Sequence, residues 1–309
     1  MDAPSTIHGV VCPIVTPFDA SGRVDLAATR EVLDFVISRG VHAVFPAGTT
    51  GEGLSLTLEE REALCTAAVE HVAGRIPVIM HTGCITTADT IELTRHARSV
   101  GATAVAIIPP FFYTFDDESL ASHMLSVALA VPDLPIFLYA FPENAKNDIS
   151  PALLKRLLEG APNIVGIKVS SGNLLRMQEY IRIGGNGFAV LCGMDGLMLA
   201  ALSVGACGQV SSHANAFAEP YLALYDAFMV GNWALARQQQ QLIDQVRLVL
   251  QDGLHPAYFK AALSLRGVPG GRVRPPMREI GPEELQAMTQ GLRELGLLPS
   301  QAEQERPMR

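Results

Sequence analysis

The chain has 309 residues, of which 49% are hydrophobic and 17% charged, enough apolar material for a large core and too little charge for a disordered polypeptide. Its formal net charge is -8 and its lysines and arginines are scattered, which excludes the basic surface of a nucleic-acid binder. No apolar stretch approaches the eighteen or so residues of a membrane span.

Short apolar runs alternate with longer amphipathic stretches. Residues 10–16 read as a first strand and 25–39 as the helix after it. Residues 41–47 read as the second strand. Its helix starts at Thr57, where Thr57-Leu-Glu-Glu60 forms a capping box. Strands follow at 77–81, 104–108, 135–139 and 164–169, each with a helix behind it at 88–100, 117–130, 151–159 and 174–183. Residues 188–192 and 206–211 supply the last two strands, with a helix at 196–204 between them. Beyond 211 the pattern is all helical, at 218–229, 233–250, 256–265 and 282–295, and the tail at 299–309 reads as polar and frayed.

Eight strand–helix steps with no Pro/Gly-rich linker predict an α/β fold. The expected form is a (β/α)8 TIM barrel over 1–215 with a helical extension over 216–309 packed on it. The strands are apolar on both alternations, as strands covered on both faces must be. An open doubly wound sheet would need a glycine-rich dinucleotide fingerprint after an early strand, and none is present.

The five cysteines include no Cys-x-x-Cys pair, and the eight histidines are dispersed. The cysteines read as small hydrophobic fillers in a reducing, cytoplasmic setting rather than disulfides, and the histidine spacing predicts no metal site. Residues 1–5 show no charged-then-apolar signal pattern.

Of the four lysines, only Lys168 sits inside a strand-like run, Asn163-Ile-Val-Gly-Ile-Lys-Val-Ser-Ser-Gly172. A strand interior is a costly place for an ammonium group, and desolvation pushes such an amine toward its neutral form. A neutral amine attacks carbonyl carbon and yields a Schiff base. A lysine that snorkels to solvent or pairs with a carboxylate is the structural alternative. In a barrel, chemistry sits where strands end, and Lys168 falls near the end of strand six.

Three further features surround that address. Gly48-Thr-Thr-Gly-Glu52 directly follows strand two. Its glycines let backbone N–H groups and the hydroxyls of Thr49 and Thr50 converge on one anion, although the same run also serves as an ordinary connection. Tyr139 closes strand five, next to strand six, where a phenol can relay the protons of imine chemistry or simply bond a core carbonyl. Gly205-Ala-Cys-Gly-Gln-Val-Ser-Ser212 supplies strand eight, whose main chain could contact a bound keto acid opposite the lysine. Asp195, after strand seven, reads as a helix cap, and Glu52 as structural.

Together these motifs resemble the dihydrodipicolinate synthase / N-acetylneuraminate lyase family of class I, pyruvate-dependent aldolases. The resemblance runs from Gly9-Val-Val-Cys-Pro-Ile-Val-Thr-Pro-Phe18 through the Gly-Thr-Thr-Gly-Glu turn, Tyr139-x-x-Pro142, Gly166-Ile-Lys168 and Gly205 to Asn215, and on to His255-Pro-Ala-Tyr-Phe-Lys-Ala-Ala-Leu263. It implies a barrel enzyme that assembles as a homo-oligomer, a tetramer or dimer. Lys168 would form an imine with pyruvate and Tyr139 would relay protons. Gly48, Thr49 and Thr50 would hold the keto-acid carboxylate, and Val210 would lie against it through its main chain. No cofactor beyond the covalent imine is implied, and the partners are a small 2-oxo acid and an aldehyde.

Two departures bear on the aldehyde. Where the synthases of the family carry an arginine two residues after the Tyr-x-x-Pro proline, this chain has Asn144, which cannot make the bidentate contact of a guanidinium. The family's tyrosine that completes a proton relay across a subunit contact aligns with Phe112, one residue before Tyr113. The expected reaction is therefore cleavage or formation of a 2-keto-3-deoxy sugar acid or similar 2-oxo acid. The alternatives are 4-hydroxy-tetrahydrodipicolinate synthesis from pyruvate and aspartate semialdehyde, or a keto-acid binding module without turnover.

Overall fold

The computed structural model describes residues 7–253 and 255–299. The expectations for residues 1–5 and for the tail at 300–309 lie outside the described residues. Eight parallel strands form the centre: β1 (Gly9–Cys12), β2 (Ala43–Val44), β3 (Ile79–His81), β4 (Ala104–Ile107), β5 (Ile136–Ala140), β6 (Ile164–Val169), β7 (Ala189–Cys192) and β8 (Gly208–Val210). The helices between them are α1 (Leu26–Ser38), α2 (Leu58–Val72), α3 (Thr87–Ser99), α4 (Asp117–Leu129), α5 (Pro142–Ala145), α6 (Pro151–Gly160), α7 (Leu174–Gly184) and α8 (Met198–Ser203). Four more follow the last strand: α9 (Glu219–Met229), α10 (Trp233–Val249), α11 (Pro256–Leu265) and α12 (Pro282–Glu294).

The strand order is β2-β1-β8-β7-β6-β5-β4-β3, and a parallel bridge between Val44 and Val78 joins its two edges. The chain is a TIM barrel with C-terminal helices. Inward side chains fill the barrel: Val11, Ala43, Phe45, Ile79, Ala106, Phe137, Leu191 and Val210 form one buried cluster. The alternate residues face the helices. Val10 and Cys12 of β1, for example, pack with Val32 and Val36 of α1 and with Tyr221, Ile243 and Phe259 of the C-terminal helices.

Six of the eight strands are shorter than the apolar runs that announce them, and the reasons at β1 and β2 are local. Pro13 follows β1 directly and has no N–H to continue a ladder. After β2, Ala47 turns into the left-handed region at φ 56° and starts the next loop. The capping box at α2 is present, with Thr57 Oγ1 accepting from Glu60 N and Glu60 Oε2 accepting from Thr57 N. The sequence reading has no counterpart for α5, a single turn that Pro142 opens. Among the described residues no helix is long and apolar enough to cross a membrane.

Candidate active site

Strands β5 and β6 place the central pair. Tyr139 and Lys168 are register partners, and both side chains point into the barrel at its C-terminal end. Lys168 is 6% exposed. Its Nζ lies 3.9 Å from the centroid of the Tyr139 ring and 4.9 Å from that of Phe45. It has no ion pair or hydrogen bond among the described residues. Two aromatic faces thus surround an amine that no carboxylate neutralises.

The turn after β2 sits beside this pair. Glu52 N donates to Thr49 O at 3.1 Å and Gly53 N to Gly48 O at 3.1 Å, which closes the turn. Thr16 Oγ1 fastens it to the β1 loop by donating to Gly51 O at 2.7 Å. Gly53 is required here, because a Cβ would fall 1.8 Å from Ala47 O. Thr49 Oγ1 lies 3.4 Å from the Tyr139 hydroxyl. The Thr50 hydroxyl instead bonds Ser212 Oγ at 2.6 Å, tying the turn to the segment after β8. Val210 is buried in the barrel interior on β8, and Gly48 lies against the Phe45 ring. Lys168, Tyr139, Thr49, Thr50, Gly48 and Val210 therefore all lie at one rim of the barrel.

Two cavities open there. One, of about 150 Å3, is lined by Gly48, Thr49, His81, Ile108, Phe111 and Asn144 among others. The other, of about 310 Å3, lies between the β7 and β8 loops and the C-terminal helices, with Gly193, Ser212 and His213 in its wall. Gly193 stands between that cavity and the lysine: a Cβ on it would be 3.2 Å from Lys168 Cε. Phe112 and Tyr113 point outward, 76% and 61% exposed, with their rings edge to face at 5.1 Å.

Asp195 does not cap a helix. Its Oδ1 accepts from Gln209 Nε2 at 2.8 Å and its Oδ2 lies 2.5 Å from His213 Nδ1. A buried carboxylate takes the strongest donors within reach, and β8 and the turn after it supply both. Glu52 has the structural surroundings expected of it. Lys260 Nζ, 1% exposed, lies 2.5 Å from Glu52 Oε1 and also donates to Arg272 O. Arg274 N donates to Glu52 Oε2 at 3.0 Å.

The sequence reading passed over Lys260, His81 and Arg61. Lys260 lies in a helical run, where periodicity shows a buried face without showing what meets it. The imidazole of His81 ends β3 on the inner face, and the one available signal was its place as the last residue of a barrel strand. Burial, then the charges of Arg61 and Lys168, hold this imidazole well below the usual histidine range. Arg61 is buried as well and bonds the carbonyl oxygens of His81 and Gly83.

Fold and rim define a barrel enzyme whose chemistry lies at the C-terminal ends of its strands. Residues 6–295 match the model of the dihydrodipicolinate synthetase family. An uncharacterized DapA-like lyase of Halobacterium salinarum is 37% identical over 96% of each chain. A 4-hydroxy-tetrahydrodipicolinate synthase of Thermus thermophilus is 34% identical over 96% of this chain and 99% of its own. Among solved structures, YagE is similar with a TM-score of 0.90 and 31% identity, over 95% of this chain and 100% of that one. It is a prophage protein of the dihydrodipicolinic acid synthase family from E. coli, in complex with pyruvate. The chain belongs to the dihydrodipicolinate synthetase family, and it is a pyruvate-dependent lyase of the class I aldolase type.

Proposed function

We propose that the protein forms a Schiff base between Lys168 and the keto carbon of pyruvate, and through it makes or cleaves a 2-keto-3-deoxy sugar acid or a similar 2-oxo acid. The observation that carries this reading is the buried, unpaired amine of Lys168 held against the ring of Tyr139. The amine adds to the ketone, water leaves, and the protonated imine accepts the electron pair of the breaking carbon–carbon bond. Tyr139, within 3.4 Å of Thr49 Oγ1, moves the protons these steps require. Gly48, Thr49 and Thr50 hold the carboxylate, and Val210 walls the keto acid on the opposite side. No cofactor beyond the imine takes part.

Two observations favour a sugar acid over an amino-acid semialdehyde. Asn144 lines the cavity beside Thr49 where a guanidinium would grip a second carboxylate, and Phe112 supplies no phenol. The second reading is 4-hydroxy-tetrahydrodipicolinate synthesis, supported by the name of the Thermus relative. The exposed pair Phe112 and Tyr113, next to cavity residue Phe111, supports a homo-oligomer whose neighbouring copy covers them. Five free cysteines support a cytoplasmic setting.

Borohydride reduction in the presence of pyruvate tests the core of this reading. The expected result is a mass increase located on Lys168 and absent from Lys168→Ala. Absence of an adduct in the wild type rejects the Schiff base. An adduct without turnover of any aldehyde identifies a binding module instead.

A further inference from the structure

The end of β3 carries a group that the imine chemistry does not use. His81 is 3% exposed and lines the cavity that Thr49 also lines. Its ring stands edge-on to that of Tyr139, with centroids 6.0 Å apart. Nδ1 lies 3.1 Å from Ala47 O. That oxygen can only accept, and no other donor reaches it among the described residues, so Nδ1 carries the hydrogen. Arg61 Nη2, which has two hydrogens, donates one to the His81 carbonyl at 2.8 Å and lies 3.3 Å from Nδ1, a longer contact than the one Nδ1 makes to Ala47 O. Nε2 is therefore a bare acceptor, and it is buried without a partner among the described residues. Gly83 stands beside this edge of the ring, where a Cβ would come within 3.2 Å of Nε2, so glycine keeps the buried edge free of a side chain.

The charges nearby decide what such an acceptor can take. Arg61 bonds the carbonyl oxygens of His81 and Gly83 and the Cys84 sulfur. No carboxylate lies within ion-pair distance of it among the described residues. Burial and the charges of Arg61 and Lys168 keep the imidazole neutral. A neutral acceptor in the field of the Arg61 guanidinium suits a neutral donor such as a hydroxyl and disfavours the approach of an ammonium group.

We propose that His81 Nε2 accepts a hydrogen bond from a hydroxyl adjacent to the reacting carbon of the aldehyde, so that the protein selects hydroxyaldehydes over plain or amino-bearing ones. This inference rests on the lyase reading and specifies the half of the substrate that Lys168 leaves open. An unpaired buried acceptor is costly in the free enzyme, and that cost is relieved only by a substrate carrying the donor.

The test compares condensation of pyruvate with glyceraldehyde and with propanal in the wild type, His81→Asn and His81→Gln. Asparagine keeps a donor near Ala47 O and removes the acceptor at the Nε2 position. Glutamine puts an amide oxygen at that position and gives up the Ala47 contact. The expected result is that the kcat/KM preference for glyceraldehyde falls about tenfold or more in His81→Asn and is largely kept in His81→Gln. Equal losses on both aldehydes, with His81→Gln the more damaged, would show a structural histidine and overturn the proposal. Should His81→Asn not fold, the wild-type preference decides, and no preference for glyceraldehyde overturns it. A wild type that yields no borohydride adduct rejects the lyase reading and this inference with it, whereas an intact adduct with an unchanged preference rejects only the role of His81.

Discussion

Lys168 and Lys260 are both buried, and their surroundings separate them. The Lys168 amine lies over the aromatic faces of Phe45 and Tyr139, whereas Lys260 is engaged by Glu52 and Arg272 O. Burial lowers the Lys260 pKa and the Glu52 carboxylate opposes that shift. Replacing Lys260 by methionine leaves Glu52 buried and unpaired. Urea denaturation should show a loss of roughly 3–5 kcal/mol, and Glu52→Gln in the same background should restore part of it. Any Lys260→Met protein that folds should still give the Lys168 adduct; transfer of the label to another residue would contradict the separation. Tyr139→Phe should slow turnover by about 10²–10⁴-fold, the range of general acid–base catalysis, while the imine still traps at equilibrium. A steady-state assay beside borohydride trapping measures both. At this scale the burial of Lys168 in a strand was legible in the sequence, because it lies within a short apolar run; the run alone did not separate a reactive amine from one that snorkels or pairs. The pairing of Lys260 was not legible, because its partner Glu52 lies 208 positions away and nothing local to the helix announces it.

At the scale of elements the alternation of apolar runs and amphipathic stretches located every strand, the strand errors fell at the ends, and the single-turn helix α5 was missed. Loop geometry determines where a ladder stops, as Pro13 after β1 and the left-handed Ala47 after β2 show. Helix α4 carries a prediction of its own. His123 is buried against α3, its Nδ1 2.9 Å from Thr87 Oγ1 and its Nε2 without a partner among the described residues. Burial lowers its pKa from 6.5 to about 4. The folded state then holds fewer protons than the unfolded chain between those two values. Its contribution to stability is complete above about pH 6.5, is lost as the pH falls, and levels off near pH 4, for a total of roughly 3 kcal/mol. Denaturation at pH 7 and pH 4.5 should show a shallower acid loss in His123→Gln than in the wild type, and an unchanged slope would remove His123 from the account.

Across the whole molecule, the segment after α11 reaches back to finish the turn that carries Thr49 and Thr50. Arg274 N binds Glu52, and the Arg274 guanidinium binds both oxygens of Glu60 and the carbonyls of Gly22 and Ser55. One side chain thus joins the loop before α1, the turn after β2, and α2. Arg274→Met leaves several of these groups unpaired and should cost roughly 2–4 kcal/mol, visible as a lower thermal midpoint. It should also raise the KM for pyruvate more than it lowers kcat, because the carboxylate cradle loosens while Lys168 and Tyr139 stay in register. Equal damage to both parameters would mean that the strap supports the whole barrel evenly.

Taken alone, the sequence determined the barrel, the strand that carries Lys168, the neighbouring strand that carries Tyr139, and the threonine turn between Gly48 and Glu52. Periodicity and turn chemistry are local, and eight repeats of one unit have few ways to close. The tertiary structure alone decided which polar groups meet. It sent Asp195 to Gln209 and His213 instead of a helix end, paired Thr50 with Ser212, buried Lys260 on Glu52, and placed His81 beside Tyr139 under the charge of Arg61. Each of these contacts joins residues from separate elements. Their partners are chosen by proximity and by the cost of leaving a buried polar group unmatched, neither of which is written in any short stretch of chain.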